Sequence, residues 1–218
     1  MKNLKTIEKR GLWLINALPL LFICILFVAQ WPEWWKWIIF ERTPMTWMES
    51  LLLYSCAIMA LGCASLMYIN QNSIKSKRWF FLGLVFFYLT LDERFAIHER
   101  IRDGFLAPND INIPLFFWTS SGDYILLLLL ALGLFTLPYM ITLFKERKIA
   151  LYCFIFSIVI SSIAVVIDSI EVKELSIELQ REEQFIEEIL ETVGMLFFLN
   201  SFYLMFFYYL EDIIKVRK

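Results

Sequence analysis

Polar and apolar positions along the chain alternate in long blocks, with neither the period of two expected for strands nor the narrow stripe of a soluble amphipathic helix. Six blocks are apolar over about twenty residues, the length that carries an α-helix across a hydrocarbon core of roughly 30 Å. They run over about 11–30, 46–69, 79–101, 124–144, 149–168 and 188–210. The pattern predicts an all-α fold, a polytopic membrane bundle of six transmembrane helices forming one domain over 1–218. Little chain is left for a soluble unit. Pro19 and Pro138 fall inside two of the blocks, where neighbouring helices in a bundle can re-satisfy the freed backbone groups.

Composition agrees, with 60% of the 218 residues apolar and 17% aromatic. The basic lead of the first block resembles a signal peptide, but the apolar run is too long and Val28-Ala29-Gln30-Trp31 is a poor cleavage site, so an uncleaved anchor is expected. Cys24, Cys56, Cys63 and Cys153 all lie within apolar blocks. They imply no disulfide framework and no zinc-finger spacing, and Cys56 and Cys63, seven apart, read as small packing residues on one face.

Charge orients the bundle. With the N-terminus inside, residues 1–10, the 70–78 loop, the 145–148 turn and the C-terminal tail carry 13 of the 20 Lys and Arg residues, which places both termini in the cytoplasm of what reads as a multi-pass cell-membrane protein, a bacterial inner membrane being the expected location. The acids sort oppositely, 18 of 22 falling on outer loops and outer helix ends. Tryptophans fit an aromatic belt, with Trp13 and Trp79 at inner ends and Trp31, Trp34, Trp35, Trp37, Trp47 and Trp118 at outer ones. The Trp31–Trp37 run is expected to lie on the outer surface as a short amphipathic segment, and residues 169–187 to form a helix on or capping the bundle mouth.

Candidate chemistry gathers where the acids do. Asp92 lies 13 residues beyond Trp79, about 20 Å at 1.5 Å per residue, so it falls within the membrane and needs an interior partner. On one uninterrupted helix Asp92, Ala96, Glu99 and Asp103 would share a face, with Arg94 and His98 on another. Glu49, Asp123, Asp168, Glu187, Glu188 and Glu191 reach the same level from other helices, and Glu188-x-x-Glu191 offers two carboxylates on adjacent turns. Converging carboxylates repel unless a cation or shared protons intervene. A divalent metal site built from Glu49, Asp92, His98, Glu99, Asp168, Glu188 and Glu191 is therefore expected, with Zn, Fe, Mn, Mg or Ca all compatible.

Ion pairing offers a plainer account, because Arg94, Arg100 and Arg102 lie within reach of the acids and Glu99 and Arg102 are spaced i,i+3. As an enzyme, the chain would use Asp92, Glu93 and His98 for acid–base work and Arg94 or Arg100 to hold an anionic head group, acting on a lipid or another membrane-soluble substrate, hydrolysis being favoured over redox chemistry. Cation or proton transport through the same acids is the main alternative, and a non-catalytic subunit or sensor the third. Membrane lipid is the expected partner. Scattered basic residues argue against nucleic acid, and no phosphate loop, nucleophile elbow or paired-histidine motif is present.

Overall fold

The computed structural model describes residues 2–40, 42–111, 113, 119, 124–170 and 176–216. Among the described residues the α-helices are α1 (Lys2–Ala29), α2 (Pro44–Ile69), α3 (Ser73–Phe95), α4 (Ile97–Ile101), α5 (Tyr124–Phe144), α6 (Lys148–Asp168) and α7 (Ile177–Val216). Pro44 stands at the start of α2, where its missing N–H costs nothing, and the Asn72 side chain caps α3 by accepting from the Lys75 N–H at 3.1 Å. Five helices, α1, α2, α5, α6 and α7, are long and apolar enough to cross a membrane.

Three of the expected boundaries change. The first helix begins at Lys2, so its basic lead is helical. The third apolar block does not run unbroken to residue 101, because α3 stops at Phe95 and Ala96 adopts a left-handed conformation at φ 48°. Only Trp79 to Leu91, 13 residues, is free of charge in this helix, so a crossing by α3 would carry Asp92 and Glu93 in its outer part. Residues 177–187 do not make a separate capping helix, since α7 runs without a break from Ile177 through the sixth block to Val216, while 171–175 of that expected helix lie outside the described residues. At 40 residues, or about 60 Å, α7 is twice the length a hydrocarbon core requires. The Trp31–Trp37 run forms a 3-10 turn over Trp34–Trp37, with Lys36 paired to Glu33. Trp118 and Asp123 lie outside the described residues.

The segments read as basic converge at one end of the bundle. Glu8 at the start of α1 pairs with Arg147 in the α5–α6 turn, Lys75 at the start of α3 pairs with Glu146, and Asn70 meets Asp212 near the end of α7. The finish of α1, the start of α2, the finish of α3 and the finish of α6 therefore lie towards the opposite, acidic end.

The core forms where α2, α3, α6 and α7 pack. Cys56, Ala57, Ala60, Cys63 and Ala64 give α2 a narrow surface, with the Cys56 and Cys63 thiols 3.8 Å and 3.9 Å from the Met195 and Phe202 carbonyls of α7. Both cysteines serve as packing residues. Trp79 is not part of an aromatic belt. It is fully buried with ring centroids of Phe144, Phe202 and Tyr209 at 5.2, 5.5 and 6.2 Å, and its indole N–H donates to the Tyr209 hydroxyl. A buried indole needs such an acceptor. Trp13, by contrast, is exposed, as are Leu132, Phe135 and Tyr139 along α5. Large apolar side chains turned outward over several helices suit acyl chains as solvent.

Candidate functional site at the acidic end

The break at Ala96 creates the most defined polar geometry in the protein. Had α3 continued, residues 92 and 98 would sit on different faces. The left-handed turn instead folds α4 back, so the Asp92 carboxylate receives the His98 backbone N–H at 2.9 Å on one oxygen and lies 3.0 Å from His98 Nδ1 on the other. Asp92 is buried, whereas the His98 side chain remains about a quarter exposed. A carboxylate only accepts hydrogen bonds, so Nδ1 carries the proton and the lone pair of a neutral ring falls on Nε2, for which the described residues supply no partner. Burial pushes the His98 pKa down. The hydrogen bond to Asp92 and the charges of Asp92, Glu99 and Asp168 outweigh it, leaving the ring above its usual 6.5.

Beside this pair, Arg102 takes up Glu99 at 3.1 Å and Asp103 at 2.8 Å, which is the ion-pair arrangement the i,i+3 spacing allows. Glu99 is thereby held by its own arginine.

A second group sits deeper, between α2 and α7. Glu49 is fully buried one turn into α2, and the Thr192 hydroxyl of α7 donates to it at 2.7 Å. Thr192 was not legible as a site residue, although its place one residue after Glu191 on an apolar helix put it at the right level. Glu188 feels the charges of Glu49 on α2, Glu93 on α3, and Glu187 and Glu191 on its own helix. Glu187 feels the charge of Asp168 of α6, and those of Glu191 and Glu183 on its own helix.

An apolar wall closes this group on the α1 side. Leu26, Ile38, Ile39, Met45 and Met48 are buried there, with Phe185 and Ile189 of α7 against them. Trp34 packs on Phe27 at 5.6 Å and on Phe185 at 5.0 Å, and the Arg181 guanidinium lies 4.0 Å over the Trp35 ring. Desolvated cation–π contacts of this kind fix one element on another, here the α1–α2 connection on the outer part of α7.

Among the described residues no group of three or more His, Cys, Asp or Glu side chains is placed to hold a metal ion. Of the proposed ligands, Asp92 and His98 face each other, Glu99 faces Arg102 and Glu49 accepts from Thr192. The structure thus brings Asp92 to His98, Glu49 to Thr192 and Glu187 to Asp168, and these pairs neighbour one another without converging on a common point.

At the bundle's middle, Asn16 and Asn200 exchange side-chain hydrogen bonds at 3.0 and 2.8 Å. This closed pair satisfies both amides and joins α1 to α7.

No curated protein and no solved structure matches the chain. Over residues 6–206 it matches the family described as "Domain of unknown function (DUF8692)", and the chain belongs to that family.

Proposed function

We propose that the protein is a multi-pass membrane enzyme in which His98, oriented by Asp92, moves a proton on a membrane-borne substrate. The observation that carries this reading is the two-point grip of one buried carboxylate on His98, which fixes the ring and presents Nε2 at the partly exposed edge of the bundle. A ring fixed in one tautomer by a carboxylate is the arrangement that general acid–base catalysis uses, worth about 10²–10⁴-fold in rate. Six crossings with both termini cytoplasmic remain the topology we favour. Its support is the meeting of the basic turns at one end, and an α3 that turns Phe80, Phe81, Leu84 and Phe87 outward.

The test uses the purified full-length chain with a total extract of membrane lipids, following lipid masses before and after incubation. A lipid species consumed by the wild type, and spared at least about a hundredfold by His98→Gln, is the expected result. No species changed by the wild type would count against enzymatic chemistry on lipids.

A second reading is favoured by a different observation, the grouping of Glu187 with the acids Asp168, Glu191 and Glu183 at the acidic end. It makes the acidic end a cation-binding or proton-binding site of a transport protein. An infrared band of a protonated carboxylic acid that is lost in Glu187→Gln would support it.

A further inference from the structure

The segment around the break at Ala96 carries an outward apolar ridge. Three of its polar side chains, His98, Glu99 and Arg102, are half-buried at 23%, 27% and 28% exposed, while Asp103, paired to Arg102, stays outward at 67%. Phe95, Ile101 and Phe105 turn outward at 51%, 44% and 60%, whereas Ala96 is buried and Ile97 and Leu106 are half-buried. The turn of the chain explains the half-buried polar set, because Asp92 and Glu99 hold His98 and Arg102. Nothing in water would favour the outward set, whereas the boundary between acyl chains and head groups would.

Two arginines flank this apolar ridge. Arg94 and Arg100 are both exposed, and neither has an ion-pair partner among the described residues, even though this end of the molecule is rich in acids. Arg102 in the same segment takes two carboxylates. A guanidinium beside an apolar ridge buries its stem along that ridge and carries its charge to the head-group level, where phosphates supply bidentate acceptors.

We infer that residues 94–106 form a binding surface for an anionic phospholipid, with Phe95, Ile101 and Phe105 against its acyl chains and Arg94 and Arg100 on its phosphate. This binding goes beyond the acid–base reading and does not require it. It does name the class of lipid that the His98 edge meets.

Native mass spectrometry of the detergent-solubilised full chain, titrated with phosphatidylglycerol and with phosphatidylcholine, tests the inference. Wild type should retain phosphatidylglycerol preferentially. The double variant Arg94→Gln/Arg100→Gln should weaken that retention roughly tenfold or more, as expected for two cations near an anionic surface, with phosphatidylcholine unaffected. Arg42→Gln, an exposed arginine of the α1–α2 connection, should behave as wild type. Retention unchanged in the double variant, or equally reduced by Arg42→Gln, would overturn the lipid surface. Loss of lipid turnover in His98→Gln with lipid retention intact would separate the chemistry from the binding.

Discussion

The carboxylate of Asp92 holds His98 at two points, its backbone N–H and its Nδ1, across a left-handed turn at Ala96. One side chain thus ends a helix, starts the next and orients a ring. A non-glycine residue in that conformation is strained, so the turn depends on what spans it.

Asp92→Ala should consequently cost about 1–3 kcal/mol, the usual penalty for orphaning polar groups in a protected place. Asp92→Asn keeps one acceptor oxygen and should cost less. Thermal unfolding in detergent measures both, and equal stability of wild type and Asp92→Ala would show that the turn is held elsewhere.

The same pair predicts a pH dependence. His98 binds its proton more tightly in the folded state than in the unfolded one, because Asp92, Glu99 and Asp168 outweigh the effect of burial. Its stabilising contribution is therefore complete below the unfolded value of 6.5 and is lost as pH rises through the higher folded value. Melting temperatures should fall over that window in wild type and not in His98→Gln.

Glu49 and Thr192 join α2 to α7 with a bond buried from solvent. Thr192→Val removes the donor while conserving shape, and should destabilise by about 1–2 kcal/mol, near the upper range for polar contacts between membrane helices. Thr192→Ser retains the hydroxyl and should recover most of the loss when the two are unfolded side by side.

Glycines supply a steric prediction. A Cβ at Gly11 would lie 1.9 Å from the Tyr203 hydroxyl oxygen and 2.6 Å from the ring carbon bearing it, so Gly11→Ala must displace the Tyr203 ring or α1 and should cost about 1–3 kcal/mol. Gly133, in the middle of α5, meets nothing within 4 Å, and Gly133→Ala should be neutral or gain up to about 1 kcal/mol. A thermal-shift comparison of the two variants checks the contrast.

Sequence by itself determined the helical class, the apolar segments and the sorting of charge to two ends, because these follow from local composition and from the fixed length a bilayer demands. It also located the level of Glu49, Asp92, His98 and Glu188. Pairing was decided only by the tertiary structure. Periodicity put His98 and Asp92 on different faces, since a helical wheel assumes an unbroken helix, and a left-handed alanine leaves no signal in composition. Trp79 read as a belt residue because an indole near a helix end suits an interface equally well; only the approach of Tyr209, from 130 residues away, made it core. The metal site was inferred from a shared depth, and depth is one coordinate of three. Which carboxyl group meets a threonine, an arginine, a histidine or another carboxyl group depends on how the helices are rotated about their axes, and that is set by the packing of α2 and α6 against α7.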